Sequence, residues 1–217
     1  MKKLISIIAV LLFTVSLAIA QDSPYQIAMK KEIAKVIETD SIPALQQSAN
    51  TFARIAEMNA KEWLPLYYEA LAYTFQGVNR SLTMDKKDEA LAKAEELAKK
   101  ADIISPNNAE IVTLQGFILM GKVSADPASR GQSMSGQVMA TYGKALGIDN
   151  INPRALALMA QMENGMAQFF GSGNEKACKL AKQSQEIFAG QDKETLKAAL
   201  SPTWGNKVNE GLLKKCE

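Results

Sequence analysis

The chain has 217 residues, with 25 Lys and Arg against 23 Asp and Glu, two cysteines and no histidine. Without histidine there is no Ser-His-Asp or Cys-His nucleophile system and no His-containing zinc site. Carboxylate-only chemistry is not excluded by that absence.

Residues 1–20 come first. Met1-Lys2-Lys3 is a short cationic start, and "LISIIAVLLFTVSLAIA" is an apolar run with the small-x-small exit Ala18-Ile19-Ala20. That order of charge, apolar stretch and exit describes a secretory signal cleaved after Ala20. The competing reading is an anchor, since the run approaches the roughly 18 residues that hold a bilayer. The small-residue exit favours cleavage, a periplasmic or secreted chain, and no stable membrane insertion afterwards. Loss of Lys2 and Lys3 leaves 23 basic residues against 23 acidic ones. A neutral mature chain gives no argument for nucleic acid or an anionic membrane surface. The remaining 21–217 segment is long enough for one domain with a real core. Export also means an oxidising compartment, where a Cys178–Cys216 disulfide is the default and two separate thiols are the alternative.

Helical periodicity covers nearly all of 21–217, and no stretch alternates with period two, so an all-α fold is expected. The expected helices lie near 24–38, 43–59, 64–77, 86–103, 109–121, 135–147, 153–168, 174–189 and 203–215. Prolines 24, 43, 65, 106, 127, 153 and 202 fall mostly between them or in first turns, where a missing N–H is tolerated. Asp40-Ser41-Ile42 resembles a sequence used for O-glycosylation in the periplasm of some bacteria, although Ser41 equally suits a plain N-cap. Asp85, Asp88 and Glu89 alternate with Lys86 and Lys87 in a first turn, where acids favour the positive end of the helix dipole. Gly116 interrupts an apolar helical run at about 1 kcal/mol against alanine. "KVSADPASRGQSMSG" (122–136) reads as a long loop bearing Arg130 and several hydroxyls. Met159, Met162 and Met166 share a helix face, with Met134 and Met139 nearby, a pattern of core filling before soft-metal binding. "GSGNEK" (171–176) follows a helix rather than a strand and lacks a P-loop ending, so it reads as a hinge at Gly171–Gly173. No cofactor or metal site is expected.

Internal similarity organises these helices. A small-x-x-x-small-x-x-small spacing appears as Ala49/Ala53/Ala56 and Ala94/Ala98/Ala101. It recurs with substitutions as Val138/Tyr142/Ala145 and Ala177/Ala181/Ser184, the last members 45, 44 and 39 residues apart. Ala70, Gly116 and Ala160 then follow the first three copies at intervals of 14, 15 and 15 residues. In this phase the chain resembles the tetratricopeptide repeat, in which a small residue of one helix meets small or aromatic residues of the next. Tyr73 and Gly77 also fit that pattern. The resemblance covers roughly 43 to 189, with a period longer than the family's and Leu66, Val112 and Leu156 where the family has tryptophan. "NPRA", "FFGSG", "KAC", "PTWG" and the cysteine near the end resemble exported tetratricopeptide-like proteins of gram-negative bacteria without an established activity.

The resemblance implies a superhelix of stacked helix hairpins, closed by a C-terminal capping helix in which Trp204 covers the open end. It also implies a concave groove lined by Tyr67, Thr74, Glu110, Thr113, Phe117, Met120, Arg154, Gln161 and Asn164. Phe117 and Met120 would give apolar contact there and Arg154 would read a carboxylate. The expected function is a non-enzymatic exported scaffold that holds a protein or peptide partner. The alternative is a small-ligand receptor or enzyme using the 122–136 loop and the 171–173 hinge.

Overall fold

The computed structural model describes residues 22–216, so the expected export signal lies outside the described residues. Ten helices and no strand occur among them: α1 (Pro24–Glu38), α2 (Ile42–Met58), α3 (Trp63–Gly77), α4 (Met84–Ile104), α5 (Ala109–Ala125), α6 (Pro127–Ile148), α7 (Pro153–Phe170), α8 (Glu175–Gly190), α9 (Lys193–Ala198) and α10 (Asn206–Leu213). Their starts follow from local chemistry. Ser23 and Gln26 form a reciprocal capping box on α1. The side chains of Asn108, Asp126, Asn152 and Asp192 accept first-turn N–H groups of α5, α6, α7 and α9. Each such cap satisfies amides that a helix start leaves without partners, worth about 1 kcal/mol.

Two expectations about these elements are corrected. The 122–136 stretch is not a loop: α5 runs on to Ala125, Asp126 alone breaks the helix, and α6 restarts at Pro127. A Pro at the first helical turn and an Asp cap make that restart, and Arg130 then pairs both terminal nitrogens with Asp88 of α4 at 2.6 Å. The second correction is α9, a short helix absent from the sequence-based set. Six residues are too few to show a period.

Each helix from α1 to α7 packs on its successor in the chain, and α1, α3, α5 and α7 also touch one another in sequence. Helices α1, α3, α5 and α7 thus form an inner row and α2, α4, α6 and α8 an outer row. One apolar cluster runs from Met29 and Val36 in α1 through Phe52, Tyr68, Leu91 and Leu114 to Leu158 in α7. Met162 is buried, and Met134, Met139, Met159 and Met166 pack against this cluster, which is core filling. Most of the recurring small positions are buried, although Ala53 and Ala56 of the first copy are half-buried. Ala70, Ala94, Ala98, Ala101, Ala145, Ala160, Ala177 and Ala181 are buried. Gly116 faces Tyr142, and a Cβ there would lie 2.4 Å from Cε1 of that ring. Close helix approach around a buried tyrosine is therefore what the glycine provides, and the packing offsets its lost helix propensity. Gly77 likewise leaves room for Leu91.

Candidate functional site

The nine residues expected to line an open groove do lie on the inner row, but most are covered by the chain itself. Tyr67, Thr74, Thr113, Phe117, Arg154 and Asn164 are buried, while Glu110, Met120 and Gln161 are half-buried. The cover is the segment that follows α8. Trp204 stacks on Phe117 with ring centroids 5.5 Å apart and meets Phe75 edge-on at 6.1 Å. Its Nε1 donates to the Tyr67 hydroxyl at 2.9 Å. The Tyr68 hydroxyl donates to the Leu200 carbonyl at 3.0 Å, and Gln161 donates to the Val208 carbonyl at 3.0 Å. Thr74 and Thr113 turn their hydroxyls back to the Ala70 and Ala109 carbonyls of their own helices. The Tyr142 hydroxyl lies 3.7 Å from the Met120 sulfur.

Arg154 reads a carboxylate, but the carboxylate is internal. Its Nε and Nη2 donate to Glu110 at 2.8 and 2.6 Å, and Asn152 Nδ2 adds a third bond to Glu110 at 2.6 Å. Burial opposes the charge on Arg154, yet the Glu110 carboxylate holds the guanidinium above its usual range. Burial likewise raises the Tyr67 hydroxyl well above the ordinary phenol range, so it is a neutral hydrogen-bonding group. The open groove is thus replaced by a self-filled seam. The physical reason is the apolar surface that Leu200 and Trp204 remove from water against α3 and α5. The cap expectation divides in the same way. α10 packs on α7 and α8 as a cap should, whereas Trp204 lies along the inner row instead of at the open end.

The two cysteines form the Cys178–Cys216 disulfide, which ties the start of α8 to the end of α10 across 38 residues. Gly171 caps α7 in the left-handed region at φ 66°, so the 171–173 turn reverses the chain into α8. Before it, Phe169 and Phe170 are 76% and 75% exposed and sit edge to face at 5.1 Å. Ser41 occupies the N-cap of α2 and is exposed, with its hydroxyl making no cap bond.

The feature that sequence reasoning missed lies on the outer side of the C-terminal segment. A cavity of about 510 Å³ opens between α1 and the run from α8 through α9 to Thr203. Ile33 and Ile37 of α1 form one wall, and Phe188, Leu196 and Leu200 form the facing wall. Lys30, Lys193 and Lys197 stand among its lining residues. A second hollow, of about 560 Å³, lies beside the N-termini of α3, α5 and α7, with Trp63, Ile151, Arg154 and Pro202. The two share Gln191, Leu196 and Ser201, so the α9 segment separates them. The i,i+4 pair Ile33/Ile37 and the basic residues after Gly190 were the available signals, but nothing local says that they face one another. Among the described residues no group of three or more His, Cys, Asp or Glu could hold a metal ion, and no helix is long and apolar enough to cross a membrane.

No family model and no curated protein matches the chain. Among solved structures, it is similar to the HusA haemophore from Porphyromonas gingivalis. The TM-score is 0.78 at 25% identity, over 91% of this chain and 94% of that one. That neighbour is all-helical too, and a haemophore is a binding protein rather than an enzyme, consistent with a non-enzymatic exported binding protein here.

Proposed function

We propose that this chain is an exported carrier of a flat, apolar, anionic ligand of the haem and porphyrin class, held in the cavity between α1 and the α8–α9 run. In this reading residues 1–20 are the export signal and 21–217 form one tetratricopeptide-like superhelix. The observation that carries the proposal is the cavity itself. Its volume of about 510 Å³ falls in the roughly 300–1,000 Å³ range of ligand pockets. Its facing walls are apolar, as the faces of a macrocycle require, and its lysines suit ligand carboxylates. The similarity to a haemophore points the same way. The disulfide agrees with an oxidising destination.

The residues present fit such a cargo without an axial ligand of the usual kind. The chain has no histidine, both cysteines are bonded to each other, and the cavity is lined by neither methionine nor tyrosine. Binding therefore rests on apolar contact and carboxylate recognition, with the cargo's metal left to other ligands. Titrating the protein with haemin, followed by the Soret band, should give a saturable one-to-one shift. Ile33→Asp with Phe188→Asp should abolish it. A featureless linear rise, the same in both proteins, would remove the proposal.

A protein partner has separate support in the Phe169–Phe170 pair, because two adjacent aromatic rings left wet are costly unless something covers them. This second reading moves the partner from the inner row to the end of α7. Cross-linking from position 170 should then capture a partner in periplasmic extract, and Phe169→Ser with Phe170→Ser should lose it. Undiminished capture by that double variant would sink the reading.

A further inference from the structure

We infer that α9 is a hinged arm that reads the carboxylates of the bound ligand through Lys193 and Lys197, so that the cavity selects dicarboxylate cargo over its neutral ester. The inference rests on the porphyrin-class reading and assigns specificity within it.

Three observations place this role on α9. First, the helix contributes no buried residue, and Leu196 is its only half-buried one. Its position is set by its two ends rather than by a core of its own. Second, the two ends differ in how firmly they are held. Gly190 is exposed, and a Cβ there would meet nothing within 4 Å. Leu200 stands at φ 57°, a left-handed conformation that a leucine rarely adopts, and its carbonyl is pinned by Tyr68. Beyond that point Trp204 is stacked on Phe117, so the arm we assign is the 191–199 stretch. Third, space lies on both sides of it, because Gln191 and Leu196 line both hollows.

The charges on the arm suit the task. Lys30, across the cavity, is already committed to Asp22 at 2.6 Å. Lys197 makes only an exposed i,i+3 pair with Glu194, which contributes little to stability and is readily exchanged. Lys193 has no acidic partner within 4 Å among the described residues. Glu38 is the acid on the facing α1 wall, so the arm carries most of the cavity's free positive charge. With its apolar body between Ile37 and Phe188, a ligand would present its carboxylates to these two ammonium groups, and Leu196 would close over it.

The test uses protoporphyrin IX and its dimethyl ester as probes, with wild-type protein and a Lys193→Glu/Lys197→Glu variant, read by fluorescence titration. The wild type should bind the diacid at least tenfold more tightly than the ester. The charge-reversed variant should weaken the diacid at least tenfold and the ester less than threefold. Because both lysines are exposed on a helix with no core residues, the variant keeps the fold, which circular dichroism checks. Limited tryptic digestion gives a second reading: cleavage after Lys193 and Lys197 should be fast in the free protein and slowed severalfold by the diacid. Equal binding of diacid and ester, or an equal loss of both in the variant, overturns the arm while leaving the cavity as a porphyrin site. Failure of both probes to bind the wild type overturns the cavity reading and the arm together.

Discussion

Substituting Gly116 by leucine tests how the two rows of helices are held apart. The ideal Cβ at this position would lie 2.4 Å from Cε1 and 2.7 Å from Cδ1 of Tyr142, well inside ordinary van der Waals contact. The ring has little freedom to yield, because Tyr142 is fully buried. A leucine would gain about 1 kcal/mol of helix propensity and lose about 1–3 kcal/mol or more to overpacking. Because the buried ring cannot yield, the loss should fall at the upper end, a net of about 2 kcal/mol, which lowers the melting temperature by about 4–8 °C for a chain of this size. Thermal and urea unfolding followed by circular dichroism would measure it. The partner is identified by a cycle: in a Tyr142→Leu background, Gly116→Ala should become stabilising by up to about 1 kcal/mol, since the propensity gain survives and the clash does not. A Gly116→Leu protein that melts at or above the parent temperature would refute the close approach of α5 and α6.

Three further outcomes follow from the same packing. Removing the disulfide with Cys178→Ser and Cys216→Ser should cost about 4 kcal/mol in the chain-entropy model, given its 38-residue separation, and thiol titration of the unreduced parent should find none. Trp204→Ala should cost about 3–5 kcal/mol and release the C-terminal segment, which hydrogen exchange would show as faster exchange over 200–213. Glu69 gives a pH dependence: burial pushes its carboxyl up from 4.5 to about 7 against the pull of Lys93 and Lys100. The native state therefore holds a proton that the unfolded state has lost, so this contribution is full below about pH 4.5 and fades as pH rises through 7. Glu69→Gln should stabilise the protein at pH 8 relative to the parent and change little at pH 4; equal effects at both would contradict the shift.

The all-helical fold and its small packing positions were legible because they are written in local spacing. Small residues at fixed intervals marked Ala70, Gly116 and Ala160, and these are the positions where rows meet. The helices were legible for the same reason, down to the Asn108 and Asn152 turns. The groove was not. Phase within a repeat says which side chains face the inner row, but not what lies on top of them, and Trp204 is 137 residues from the Tyr67 it bonds. The glycines and serines of 122–136 read as a loop, whereas Asp126 as a cap and the Arg130–Asp88 pair, 42 residues apart, keep the segment helical. The cavity was hidden twice over, since it joins α1 to a stretch with no period and needs both ends of the chain to meet.

The most direct test of the account is a heteronuclear NMR map of the 15N-labelled 21–217 chain as protoporphyrin IX is added. The cavity predicts saturable shifts confined to Lys30–Glu38 of α1, Gln185–Gln191 and the α9 arm, with the Tyr67–Phe117–Trp204 seam undisturbed. Shifts centred on that seam, or on Phe169 and Phe170 with α1 silent, would contradict it.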